Sequence, residues 1–190
     1  GGVLLDRTAC GHGVAVGNSD YLSSSIAIAS FDGQLLSESL ISSASGSVGL
    51  SAALSGDVVL PLSTTASGMV VLIDREQGVL TFVNPESGSV VSQIRVGLNP
   101  HDYVEVDQGR AYVSRYSLNS SPGERPFDSG SDVVVIDLAT HAIVKSISLA
   151  ERGDGEFLPR PDRMLRIGDY VVVSLHGFNS SFKSAAEARL

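Results

Sequence analysis

One cysteine in 190 residues excludes an internal disulfide and any zinc cage built on cysteines. Positive charge is also sparse: 13 Lys and Arg form no run and face 21 Asp and Glu, giving a formal net charge of -8. That balance argues against nucleic acid or an anionic membrane surface as a partner. No stretch approaches the roughly eighteen continuous apolar residues of a membrane helix, so no transmembrane segment is expected. Helix has almost no footing. "SAALS" (51–55) and "SAAEARL" (184–190) are its candidates, and each is too short to be stable alone.

Cys10 sits in "RTACGHG", which invites comparison with a lipoprotein cleavage site. Such a site needs an apolar stretch and usually Leu three residues before the Cys. Here that position is Arg7, after Asp6, and the segment before Cys10 is too short for a signal peptide. Cys10 therefore reads as a small, half-buried residue, and any export signal as already removed.

What the chain does have is alternation. With 43% hydrophobic and 18% charged residues it can build a core and is too weakly charged to be disordered. The apolar residues come in short bursts at 13–19, 24–30, 68–74, 78–84, 89–96, 102–107, 110–116, 131–137, 142–149 and 169–175. These are rich in Val, Ile and Tyr and are cut by Gly, Asn, Asp, Pro and Ser. Hairpin-like connectors stand at "PESG" (85–88), "DQG" (107–109) and "IGD" (167–169). The pattern predicts an all-β antiparallel protein.

Repeats choose among the all-β architectures. "FVNPESGSVVSQIRV" (82–96) lies over "VIDLATHAIVKSISL" (135–149) without a gap, a shift of 53 residues. Asn84 falls on Asp137, Ser87 on Thr140 and Ile94 on Ile147, so each copy reads strand, Asx-type turn, strand. A weaker third copy is "ASFDGQLLSESLI" (29–41), turning at Asp32–Gly33. The following halves, "NPHDYVEVDQGRAYVSRY" and "PRPDRMLRIGDYVVVSLH", match at a shift of 60, Asp102 on Asp162 and Ser114 on Ser174; the extra residues fall in the loop 150–160. A four-stranded unit of about fifty residues that buries its faces on its neighbours follows the logic of a β-propeller blade. A β-sandwich would not impose a fixed period with matched turns. The expectation is one domain over 1–190, with about three to three and a half blades in approximate units 13–67, 68–130 and 131–190. That is too few for closure, so an open, incomplete propeller, finished by missing blades or by another chain, is expected.

"QIRVGLNPHDYVEVDQGRAYVSRYS" and "GSDVVVIDLATHAIVKSISL" resemble the repeat of YVTN-type propellers. Val96–Gly97, Asn99–Pro100, Ala111–Tyr112–Val113–Ser114 and Val135–Ile136–Asp137 occupy the places of that repeat, with Arg115 where Asn is usual. The chain is also similar to bacterial surface or periplasmic lipoprotein propellers of unassigned function. The resemblance implies an exported bacterial protein, periplasmic or at the cell surface. Related propellers include lactonase-like hydrolases and quinoprotein-like dehydrogenases, so the fold alone does not choose a chemistry.

Candidate site residues are few. His101–Asp102 would serve as a base or ligand pair only if the side chains converged, and neighbours on a strand point to opposite faces. Asp102 has a repeat partner in Asp162, which favours a turn-bonding or interblade role. Cys10, His12 and His176 could meet as metal ligands, but their spacing does not demand it. "GDGE" (153–156) lacks the ladder of a calcium loop. No nucleophile elbow or dinucleotide fingerprint occurs. The arginines 115, 125, 160, 163 and 166 stand in or beside the inserts 117–130 and 150–160, outside the repeat pattern. Guanidinium groups there suit carboxylates, sulfates or a partner's acidic side chains, against the plainer role of an internal ion pair with Asp102, Asp128 or Asp162. The binding candidates are thus His101, Asp102, Arg115, Asp162 and Arg163, with no catalytic residue, no metal and no cofactor. The expected function is a non-enzymatic binding or scaffolding module meeting a protein or small ligand at its loop faces. The alternative is part of a lactonase-like or quinoprotein-like enzyme.

Overall fold

A computed structural model describes residues 13–45, 50–107 and 109–186. Cys10 and His12 lie outside the described residues, and so do the last four residues of the second helix candidate. Thirteen strands follow in order: β1 Gly13–Ser19, β2 Ser24–Ser30, β3 Leu35–Ser42, β4 Val58–Val59, β5 Val70–Asp74, β6 Val79–Val83, β7 Val90–Arg95, β8 Pro100–Glu105, β9 Arg110–Leu118, β10 Gly130–Asp137, β11 Ala142–Ser148, β12 Phe157–Ile167 and β13 Tyr170–Asn179. One 3-10 turn, Ala150–Arg152, is the helical element among the described residues. "SAALS" forms bends instead of a helix.

The strands pair antiparallel in four sheets, ordered β1-β2-β3, β4-β5-β6-β7, β8-β9-β10-β11 and β12-β13. Both four-stranded sheets are simple meanders, each strand beside its sequence neighbour. The two segments that match at 53 residues are the third and fourth strands of their own sheets: β6 with β7, and β10 with β11. Their turns are built alike. Asn84 Oδ1 accepts the N–H groups of Glu86 at 2.9 Å and Ser87 at 3.1 Å. Asp137 Oδ1 accepts those of Ala139 at 3.0 Å and Thr140 at 2.8 Å. These Asx turns satisfy donors that a tight reversal would otherwise leave open, which is why Asn or Asp recurs there.

The chain divides into two compact units, one of Gly1–Leu60 with Thr65–Arg95, the other of Pro61–Thr64 with Val96–Leu190. In the first, Ile26, Ile41, Leu54, Val58, Leu72 and Val83 form the core. In the second, Val104, Val133 and Met164 are buried together beneath Tyr112, Ile147 and Val171. The alternating residues of the strands supply both cores, as a pleat with one face inward requires.

The second unit also carries buried polar groups. Asp102 is fully buried on β8. Its Oδ1 accepts N–H groups from Leu62 at 3.0 Å and Tyr103 at 2.9 Å, and its Oδ2 accepts that of Met164, on β12, at 2.8 Å. Burial pushes the carboxyl above its ordinary range, and the three N–H groups pull the other way. Tyr103 donates its hydroxyl to Glu105 at 2.9 Å, and burial, reinforced by that carboxylate, holds the phenol protonated well above its usual range.

Candidate functional site

Strands β8, β9, β12 and β13 bring two imidazoles to one carboxylate. His101 on β8 places Nδ1 2.7 Å from Asp162 Oδ1, and His176 on β13 places Nε2 3.4 Å from Asp162 Oδ2. Asp162 is at the bulge where the register of β12 with β13 slips between Pro161 and Met164. A bulge turns a side chain off the regular alternation, and here it leaves Asp162 facing the histidines while Met164 packs inward. The main chain of Asp162 is fixed as well, since Ser114 Oγ donates to its carbonyl at 2.6 Å.

Aromatic rings complete the cluster. Tyr116 stacks on His101 with centroids 4.3 Å apart and planes 12° apart. Its hydroxyl stands 3.5 Å from His176 Nδ1, at the outer limit of a hydrogen bond. Burial raises the Tyr116 phenol above its ordinary range; the Arg160 cation opposes that rise and the Asp162 carboxylate adds to it. Phe178 meets the His176 ring edge-on at 5.9 Å, and Phe182 lies 6.0 Å from Phe178. His176 and Phe182 are exposed, so the cluster opens to solvent.

Arg160 lies on β12 opposite His176. Its Cζ stands 4.1 Å from the Phe182 ring centroid and 5.3 Å from that of Tyr116. The residue is buried, yet Nε has no hydrogen-bond partner. A buried donor left unmade costs about 1–3 kcal/mol, more on a charged group, so Arg160 is an expensive residue here.

The residues expected from sequence separate into four situations. His101 and Asp162 belong to the cluster and touch one another. Asp102 stays out of the cluster: both its oxygens accept backbone N–H groups, and it links β8 to β12 from the interior. Arg163 is exposed on β12, and its charge is close enough to Asp102 to favour the ionised carboxylate. Arg115, expected at a loop edge, is instead 2% exposed. It pairs across the strands with Asp132, donating at 2.8 and 2.7 Å, and also donates to the carbonyls of Val96 at 2.9 Å and Phe127 at 2.6 Å. The reason is register: β9 runs on to Leu118, so position 115 is a strand residue whose side chain turns inward.

Sequence reasoning grouped His176 with Cys10 and His12 and Arg160 with the insert arginines, and it did not link Tyr116, Phe178 or Phe182 to a site. The nearest signal was the departure of Arg160 and Pro161 from the repeat just before the matched Asp162. Elsewhere the plainer readings fit. Asp154 Oδ1 in "GDGE" caps its own loop by accepting Phe157 N–H at 3.0 Å. Asp128 ties the insert after β9 by accepting the N–H groups of Gly123, Glu124 and Arg125, each at 3.0 Å to its nearer oxygen, which holds its carboxyl below the usual range. Among the described residues, no group of three or more His, Cys, Asp and Glu side chains is disposed to hold a metal ion.

Four antiparallel sheets with matched four-stranded meanders have counterparts among solved structures. The fold is propeller-like. A protein of unknown function from Bacteroides caccae matches 82% of the chain with a TM-score of 0.51 at 13% identity. The dihydro-heme d1 dehydrogenase NirN, in complex with DHE, matches 89% with a TM-score of 0.50 at 18% identity. Identities this low speak for the fold alone. The chain covers 49% of the first of these proteins and 32% of the second. No protein-family model and no curated protein matches the chain. No helix of the described residues is long and apolar enough to cross a membrane.

Proposed function

We propose that this chain is a non-enzymatic binding or scaffolding module built from about three to three and a half propeller blades, in units near 13–67, 68–130 and 131–190. Its ligand contact is the cluster of His101, Tyr116, Asp162 and His176. The observation that carries this reading is the convergence of two imidazoles on Asp162 at 2.7 and 3.4 Å in a cluster that opens to solvent. A purely structural carboxylate of this protein, such as Asp102, is fully buried and spends itself on backbone N–H groups. The resemblance to YVTN-type propellers supports placement in an exported bacterial protein, in the periplasm or at the cell surface. Protein partners would meet the inserts at 117–130 and 150–160, where Arg125 and Arg163 stand; nucleic acid is disfavoured by the net charge of -8.

A second reading has one observation in its favour. The His and Asp side chains come from two successive sheets, as an acid–base site of a lactonase-like or quinoprotein-like enzyme requires. One experiment decides between the two. The protein is offered lactones and sugars, with and without added divalent metal, while the His101 and His176 ring resonances are followed by NMR. Ligand-induced shifts of both rings without turnover are expected. Turnover that disappears in Asp162→Asn establishes the enzyme instead.

A further inference from the structure

Arg160 names the chemistry of the ligand, an inference that rests on the binding reading above. Among the described residues two arginines are nearly inaccessible, and the protein treats them differently. Arg115 is saturated by the Asp132 carboxylate and two carbonyls. Arg160 is 6% exposed, its Nε is unpartnered, and its guanidinium makes no ion pair among the described residues. Asp162 stands two residues along β12, but its two oxygens face His101 and His176.

The contacts Arg160 does make are with ring faces, those of Phe182 and Tyr116. A cation over an aromatic face is held by the ring quadrupole, and a guanidinium keeps all its N–H donors in its own plane. Stacking of that kind positions the fork without consuming it. A planar fork of donors with no acceptor among the described residues matches two oxygens of a carboxylate or a phosphoryl group. Beside it lie Tyr116 with its hydroxyl, His176, and the rings of Phe178 and Phe182, of which Phe182 is 55% exposed. Together these groups offer an anion-binding head and an aromatic wall.

We infer that this cluster binds an oxyanion carried on an aromatic ring, an aryl carboxylate or aryl phosphate. Arg160 takes the oxygens, and the ring packs against Phe178 and Phe182. A cationic ligand would face the Arg160 charge and is rejected.

The test is calorimetric titration of the chain with benzoate, phenyl phosphate, inorganic phosphate and benzylamine, with His176 ring resonances followed in parallel. Saturable binding of benzoate or phenyl phosphate is expected, and the tighter of the two identifies the head group. Inorganic phosphate should bind about tenfold more weakly, since it has no ring to pack. Arg160→Met, which keeps an unbranched stem and loses the fork, should weaken the aryl oxyanions about tenfold or more. Phe182→Ala, at an exposed position, should weaken the aryl probes more than inorganic phosphate, because it removes the wall as well as one of the two rings that hold the fork, and it decides the matter if Arg160→Met does not fold. Benzylamine binding that shifts the His176 ring, with benzoate and phenyl phosphate silent, would overturn the oxyanion while preserving the binding site. Silence of all four probes, or unchanged aryl oxyanion affinity in both variants, also overturns the inference.

Discussion

Replacing Arg115 with methionine removes a buried guanidinium and leaves its carboxylate behind. In the intact protein Asp132 takes two N–H donors from Arg115 and one hydroxyl from Ser146 at 2.6 Å. After the substitution only Ser146 remains, and Asp132 sits 1% exposed. Breaking one partner of a buried pair costs about 3–5 kcal/mol, because the other charge stays uncompensated. The carbonyls of Val96 and Phe127 lose their donor as well, which adds to the loss. For a chain of this size each kcal/mol moves the thermal midpoint by about 2–4 °C, so a fall of ~6–20 °C is expected. Asp132→Leu combined with Arg115→Met removes both charges and should recover much of it, since a well-packed apolar pair is often no worse than a buried ion pair. Differential scanning calorimetry of the two variants, with exposed Arg125→Ala as a control near zero, is the assay. A midpoint for Arg115→Met within a degree or two of the intact protein would refute the reasoning and return Arg115 to the surface.

Two further outcomes follow from the backbone and the charges. Gly130 has φ +72°, and a Cβ there would meet the Ser117 carbonyl oxygen at 2.2 Å, whereas one at Gly33, φ +87°, would meet open space. Both Ala variants incur the left-handed penalty of about 1–2 kcal/mol, so urea unfolding should show Gly130→Ala costing at least twice as much as Gly33→Ala; equal losses would contradict the close approach. Hydrogen bonds from the Thr140 N–H and hydroxyl lower the Asp137 carboxyl, and those from Gly123 and Arg125 lower Asp128, both from an ordinary value of 3.8. Depressed folded values give stability that is present above pH 3.8 and lost as pH falls through the folded values. Asp128→Asn and Asp137→Asn should therefore flatten the midpoint-against-pH curve below about pH 4, and an unchanged acid limb would count against these turns.

Local structure was legible where alternation was clean. The bursts at 13–19 and 24–30 are β1 and β2 to the residue, and the matched Asx turns at Asn84 and Asp137 form as the repeat required. β12 was obscured because Pro159, Pro161 and four charged residues interrupt its pattern, and its first residues read as part of the loop 150–160. Prolines are tolerated in a strand with an unpaired edge, and β12 pairs with β13 alone. The site was less legible than the fold for a geometric reason. Its contacts join β8 to β12 and β13 across about sixty residues, as in His101 with Asp162. Periodicity describes what one strand presents to its faces and carries no information on which side chains meet between sheets. Arg115 was displaced for the same reason: its partner Asp132 is set by cross-strand register, which the spacing of the two residues does not reveal.

The buried carboxylate of Asp102 has a consequence for how the second unit assembles. It ties Leu62, forty residues earlier, and Met164, sixty-two residues later, to a single side chain. Closing loops of that length is entropically unfavourable and comes late in folding, after the local hairpins have formed. A clasp between segments this distant is expected to form after the hairpins it joins. Interactions of that kind leave the folding rate almost untouched and slow the rate of opening. Asp102 is therefore expected to work as a kinetic latch, and stopped-flow measurement of Asp102→Ala should show unfolding speeded more than folding is slowed.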